Sequence, residues 1–284
     1  MPTSCRAAVT AVERPELLIF LHIPKAAGRS FYRVLDRQVP RESIYQTDPV
    51  DWRKSIEELR ALPEKQLRSF RIVRGHVGFG LHELFPQQAR YVTFVRDPVT
   101  RIVSHYRYVL RSPQHYLHEE VADGPLSLLE YAVSGLSPEL ENGQTRLLAA
   151  LDDGAVESTP QALDSAKRHI SEHFVLAGVT ERFDESLLLL RRRLGWASVL
   201  YRRENVAPAA DRPPDPEAIA AIRERNRLDQ DLYEHCARRV EKWIAAEGRS
   251  LERELRRFRV RNAVYGSLSA SAARARARLG WRAA

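Results

Sequence analysis

Four short apolar runs, each followed by a polar turn and then a helical pattern, constrain this chain more than any other feature. Leu17–Ile23 is the first, and Ser30–Gln38 follows it with Phe31, Val34 and Leu35 on one helical face. Phe70–His76 alternates and ends in "RGH". Arg90–Val95, "RYVTFV", is β-branched and aromatic, and it stops at Asp97-Pro98, where a proline in the first turn predicts the start of an amphipathic helix. Phe174–Gly178 is the fourth run, with a helix expected from Asp184 to Leu194. Further helices are expected over Trp52–Leu62, in three segments between 126 and 173, and from Glu217 to about Ala246. Parallel strands need crossovers, and helical crossovers cover both faces of a sheet. The expected fold class is therefore α/β, a parallel sheet flanked by helices on both faces.

The first turn, "HIPKAAGRS", joins a strand to a helix, where free backbone N–H groups and the positive end of the helix dipole suit an anion. Small residues at Ala26, Ala27 and Gly28 let the backbone approach a ligand, Lys25 supplies a mobile charge, and Arg29 and Ser30 add donors. This is P-loop-like but not a nucleotide loop of the usual order, G-x-x-x-x-G-K-[ST], because here the lysine leads and no upstream glycine is present. The alternative is a polar β–α turn with incidental charge.

The third run ends in "RDPVTRIVSHYRYV". Open α/β sheets bind ligands beyond the carboxyl ends of their strands, so Arg96 and Ser104 can converge on a second phosphate. The alternative pairs Arg96 with Asp97 on the surface and leaves Ser104 in solvent.

Charge needs care. Of the net +8 on 284 residues, nearly all lies in 251–284, which hold nine arginines and two glutamates. The body is close to neutral, which argues against nucleic acid as a partner. The two cysteines, Cys5 and Cys236, have no metal spacing and form no disulfide framework, and the N-terminus shows no secretory pattern, so a cytoplasmic setting is expected. Residues 1–15 read as a loose leader, 16–249 as one domain and 250–284 as a basic tail. That tail is open to three readings: a solvated end, an interfacial helix with Phe258, Val260, Val264, Tyr265, Leu268 and Trp281 as anchors at the inner face of a membrane, or a grip on an acidic glycan.

Together, "HIPKAAGRS" and "RDPVTRIVS" resemble the 5′-phosphosulfate loop and the 3′-phosphate motif of sulfotransferases that use 3′-phosphoadenosine 5′-phosphosulfate (PAPS). The likeness is to bacterial carbohydrate sulfotransferases related to heparan sulfate 2-O-sulfotransferase. "RGH", "NGQTR" at 142–146, "GVTERFDESL" at 178–187 and "RNRLDQDLYE" at 225–234 resemble further stretches of that family, in the same order. The resemblance implies that Lys25 contacts the transferred group and the bridging oxygen, and that Ala26, Ala27, Gly28, Arg29 and Ser30 hold the 5′-phosphate. Arg96 and Ser104 would hold the 3′-phosphate of PAPS and of its product PAP. His76 matches the catalytic histidine, and no metal is required. Ala26-Ala27 and Arg29 depart from the family's Thr-Gly and Thr.

The chemistry agrees: a neutral imidazole near pH 7 suits proton removal from a hydroxyl, and a lysine suits charge growing on a bridging oxygen. His22, beside the loop, is either a structural donor or a substrate contact. Gln144 and Arg146, with Thr145, are candidates for the acceptor or adenosine side, against an N-cap role for Asn142. Glu181 and Arg182 read as a structural ion pair, and Tyr106 and Tyr108 as core or pocket aromatics. The expected activity is sulfation of a hydroxyl on a carbohydrate or glycolipid. A nucleotide-dependent kinase of related fold and a PAP-binding module without chemistry are the rivals.

Overall fold

The computed structural model describes residues 15–48, 51–150, 156–202 and 213–278, with side chains up to 268. The leader, Cys5 and Trp281 lie outside the described residues.

Five strands form one sheet: β1 (Leu17–Leu21), β2 (Ile44–Gln46), β3 (Ile72–Gly75), β4 (Ala89–Val95) and β5 (Phe174–Val179), in the order β2-β3-β1-β4-β5. Every pairing is parallel. All residues of β1 and β5 are buried, so both faces of the sheet are covered, as in parallel sheets generally. The helices are α1 (Gly28–Leu35), α2 (Trp52–Ala61), α3 (Glu64–Ser69), α4 (Pro98–Leu110), α5 (Leu128–Val133), α6 (Gly143–Ala149), α7 (Pro160–His173), α8 (Phe183–Leu194), α9 (Pro216–Arg225) and α10 (Arg227–Arg278). The expected α/β class is what the chain adopts.

The order of the strands decides where a site can form. From β1 the chain moves outward to β2 and β3, then crosses back to β4 on the other side. The loops after β1 and β4 therefore part in opposite directions, opening a crevice at the carboxyl ends of the strands. The turn after β3 borders the same crevice from the far side of β1.

A second, smaller apolar cluster roofs this end of the sheet: Ile102, Val103 and Val109 of α4, Tyr131 and Ala132 of α5, and Ile222 of α9. Tyr106 packs against it and donates to the Leu126 carbonyl at 2.7 Å, so it is a core aromatic.

Two expectations change. The helix foreseen from Glu217 to Ala246 is interrupted at Asn226, whose amide donates to the carbonyls of Leu140 and Ile222. The second part runs far beyond Ala246, with a break at Gly248 (φ 55°, ψ −146°). The boundary foreseen at 249 is crossed by packing: Leu251 and Phe258 belong to the main core. Arg259 pairs with Asp184 and Glu185, Asn262 accepts from the Tyr201 N–H, and Tyr265 accepts from Arg37. Two of the anchors foreseen for a membrane, Phe258 and Tyr265, thus face the body, whereas Val260, Val264 and Leu268 are exposed. Among the described residues no helix is long and apolar enough to cross a membrane.

Candidate active site

The loop after β1 is held by its own conformation. Lys25 and Ala27 both sit in the left-handed region, at φ 67° and 61°. Each costs about 1–2 kcal/mol in a residue with a Cβ, and such strain collects at ligand clamps. The two turns bring the chain sharply into α1, whose first-turn N–H groups have no acceptor within the helix. At Gly28 an added Cβ would fall 1.8 Å from the His22 Nε2, so only glycine lets the loop close over that imidazole. Arg29 is exposed at the mouth and Ser30 is buried beneath it.

His22 is the floor of this loop. Its Nδ1 lies 3.1 Å from the Tyr32 hydroxyl, and its ring stacks on His76 with centroids 4.5 Å apart. Burial, then the charge of His76, holds its pKa well below 6.5, so it is a neutral structural ring. Enclosed this way, it supports the loop and its neighbour, the structural alternative raised above.

His76 follows Gly75 at the end of β3. Gly75 has φ 153°, and a Cβ there would meet the Thr47 Oγ1 at 1.8 Å. The backbone of His22 accepts a hydrogen bond from the His76 ring, which leaves the other ring nitrogen as an acceptor. Burial lowers the His76 pKa, while Glu139 and that hydrogen bond oppose the shift. The ring is neutral at pH 7.

Lys25 projects towards α4, with its Nζ 3.9 Å from the centroid of the Tyr108 ring. Burial first, then the charges of Arg111 and Arg96, bring its pKa down to about 8. Tyr108 is therefore a pocket aromatic.

Arg96 ends β4. The Gln144 side chain clamps its backbone from both sides: the Arg96 N–H donates to Gln144 Oε1 and Gln144 Nε2 donates to the Arg96 carbonyl, each at 2.9 Å. The guanidinium reaches across the crevice, Nη1 donating to the Lys25 carbonyl at 3.0 Å, which joins the two loops. Its Nε is buried without a partner among the described residues. Asp97 does not pair with Arg96; it caps α4 by accepting from the Thr100 N–H at 2.8 Å. Ser104, on the same helix, is half-buried and carries no intramolecular hydrogen bond among the described residues.

The remaining candidates are placed differently. Gln144 is fully buried and its amide is committed to Arg96, so it positions the site rather than lining it. Thr145 is tied to Asp229 through both its N–H and its hydroxyl, and Arg146 is half-buried on α6. Asn142 does not cap its own helix. It is left-handed (φ 48°), and its Oδ1 accepts from the N–H groups of Leu228 and Asp229, capping α10. Asp229 returns the favour by accepting from the Gln144 and Thr145 N–H groups at the start of α6. Glu181 accepts from the Asp97 N–H at 3.3 Å, and Arg182 pairs with Glu185 at 3.2 Å, so the foreseen Glu181–Arg182 pair does not form.

A buried polar cluster behind α4 escaped the sequence. Arg101 (1% exposed) lies 3.6 Å from Asp229 (0%), and donates to the Glu139 carbonyl at 2.6 Å. The Glu139 carboxylate lies 3.2 Å from His105 Nε2, and His105 Nδ1 lies 2.5 Å from the Tyr131 hydroxyl. Arg101 and His105 share one face of α4, an i,i+4 pairing visible in the sequence; Glu139 gave no signal.

A model of the galactose-3-O-sulfotransferase family matches residues 2–275, nearly the whole chain. The chain belongs to this sulfotransferase family. It is 28% identical to galactose-3-O-sulfotransferase 3 of cattle (Bos taurus) over 91% of its own length and 65% of the relative's, so it spans just under two thirds of that protein. It is 26% identical to mouse (Mus musculus) uronyl 2-sulfotransferase over 52% of its length and 42% of that protein's. Among solved structures, mouse sulfotransferase SULT7A1 complexed with PAP aligns with a TM-score of 0.39 at 18% identity, covering 76% of this chain and 64% of that one. The resemblance to carbohydrate sulfotransferases holds. These relatives are animal proteins, and the bacterial side of that resemblance has no support in them.

Proposed function

We propose that this sulfotransferase domain moves a sulfuryl group from PAPS to a hydroxyl of a carbohydrate acceptor, with His76 as the base. The observation that carries the reading is the convergence of the Lys25–Ser30 loop and Arg96 at the crevice between β1 and β4, with His76 delivered beside them by β3. The residues suit a donor with two separated phosphates. The Lys25–Ser30 loop offers first-turn N–H groups and a lysine, and the unpartnered Arg96 Nε and the free Ser104 hydroxyl offer a second set of donors.

When bound, PAPS supplies the sulfuryl group, whose S–O bond to the 5′-phosphate breaks as a bond to the acceptor oxygen forms. The protein's part is positioning and charge. His76, neutral and fixed by the His22 backbone, takes the acceptor proton on its free nitrogen, a role worth ~10²–10⁴-fold in rate. Lys25, protonated at pH 7, stands where negative charge grows on the leaving phosphate. Arg96 and Ser104 give selectivity for a nucleotide that carries a 3′-phosphate.

The test is transfer of ³⁵S-labelled sulfate from PAPS to a glycan panel, with thermal shifts in PAP and in ATP–Mg²⁺ alongside. Wild-type protein should transfer label and be stabilised by PAP; His76→Ala should lose transfer by ~10²–10⁴-fold and keep PAP binding. Stabilisation by ATP–Mg²⁺ in place of PAP would overturn the reading in favour of a kinase, and unimpaired transfer by His76→Ala would remove the base.

A further inference from the structure

Beyond Gly248, α10 is a rod with two different faces. Leu251, Leu255, Phe258, Asn262 and Tyr265 recur at spacings of four and three, so they share one side and hold the rod to the body. The opposite side carries two stripes that the chemistry above does not use. Arg253, Arg257 and Arg261 stand one turn apart, and Val260, Val264 and Leu268 stand one turn apart beside them. All six are exposed, the three aliphatic side chains by 67%, 56% and 67%.

The arginines border an open cleft of about 510 Å³ between α10 and the end of α8. Its charged lining is Arg191, Arg192, Arg253, Arg257, Arg261 and a single carboxylate, Glu254. Glu254 is already engaged, pairing with Arg191 at 2.6 Å and Arg192 at 2.7 Å. Arg253, Arg257 and Arg261 pair with no carboxylate among the described residues. Like charges one helical turn apart repel, so this stripe is a cationic site that lacks an internal counter-ion.

Its place in the fold separates it from the crevice. Helices α1 and α8 start at the carboxyl ends of β1 and β5 and run back along the sheet. Arg37, just past α1, and Arg192, near the end of α8, therefore mark the opposite end of the molecule. The rod touches both, through Tyr265 and Glu254. A nucleic acid or an acidic glycan would answer the arginines and leave three aliphatic side chains in water. A lipid surface answers both, since it offers headgroup phosphates and an apolar boundary beneath them.

We propose that this face of α10 is a docking surface for a membrane of anionic phospholipid. Headgroup phosphates supply the counter-ion to the arginine cleft, and Val260, Val264 and Leu268 enter the boundary of the acyl chains. The helix lies on the bilayer, and the crevice points away from it, open to solution. This docking does not depend on the sulfotransferase reading.

The test is co-sedimentation of the full chain with phosphatidylcholine vesicles, with and without phosphatidylserine, and retention on heparin alongside. Each arginine near an anionic surface is worth about fivefold in partition, so wild-type protein should prefer the serine-lipid vesicles by about a hundredfold, less as salt is raised. The triple variant Arg253→Gln, Arg257→Gln, Arg261→Gln should lose most of that preference. Val264→Ser with Leu268→Ser should weaken vesicle binding by about threefold to tenfold at unchanged charge. Both variants should unfold at the wild-type temperature. Equal partition onto the two vesicles, or a triple variant that partitions like wild type, would overturn the proposal. Full vesicle binding by the Val264 and Leu268 variant, with tight retention on heparin, would assign the arginines to a soluble polyanion instead. Should the triple variant fail to fold, Arg257→Gln alone decides, with an expected loss of about fivefold.

Discussion

The loop after β1 and the cluster around Glu139 reach a fixed geometry by opposite means. In the loop, Lys25, Ala27 and Gly28 are shaped by their own backbone angles and by His22, a few residues away. In the cluster, Glu139 depends on Arg101 and His105 of α4, Tyr131 of α5 and, through Arg101, Asp229 of α10. One is local and strained, and the other is assembled from afar by buried charge. Damage should therefore spread differently. A change in the loop should weaken the proposed donor binding and spare most of the fold, whereas a change in the cluster should weaken the fold and the site together.

The strongest test of that difference is Asp229→Ala. It leaves three donors at the start of α6 without an acceptor and strands the Arg101 guanidinium in the interior. Urea unfolding should register a loss of about 3–5 kcal/mol, and PAP affinity should fall with it because Gln144 no longer steadies Arg96. A loss below ~1 kcal/mol would mean that the cluster is not held by this pair.

Gly28→Ala is the matching change in the loop. Its Cβ would press on His22, which should cost about 1–3 kcal/mol by overpacking, and should weaken PAP by more than about tenfold. Full PAP affinity in this variant would show that the close approach is unnecessary.

The loop also sets a pH response. The rate kcat/KM should fall at low pH as His76 gains a proton, at a pKa below 6.5, and fall about tenfold per pH unit well above 8 as Lys25 loses its own. Lys25→Arg, which keeps the charge, should move the alkaline fall to higher pH and leave the acid limb in place. An alkaline limb that stays put would belong to another group.

The smallest effect is expected from Ser104→Ala. Loss of one hydroxyl donor should weaken PAP by roughly three- to tenfold, with no measurable change in stability, since Ser104 bonds to nothing else among the described residues. A drop in stability instead would make it a packing residue.

The same contrast explains what could be read from the sequence. β4 was legible from its β-branched, aromatic composition, and α4 from Asp97-Pro98, because strand propensity and helix capping are local. The place of the loop between β1 and α1 was legible for the same reason, an apolar run ending at small residues before a helical pattern. β2 was not, being three residues, two half-buried and one exposed, that pair only with β3. The break at Asn226 was hidden because its partners, Leu140 and Asn142, are distant in the chain. Asn142 looked like a cap for α6, and it is a cap, but for α10. Glu139 stands in an ordinary turn, and only the approach of α4 and α5 gives it a role.

The central claim is a two-phosphate grip, with Arg96 as its second half, and calorimetric titration of PAP against adenosine 5′-phosphate tests it most directly. Wild-type protein should bind PAP about tenfold to a hundredfold tighter, the worth of charge-assisted hydrogen bonds to the 3′-phosphate, and Arg96→Ala should lose that preference while still binding the 5′-phosphate. Equal affinity for the two nucleotides in wild-type protein, or an undiminished preference in Arg96→Ala, would contradict it.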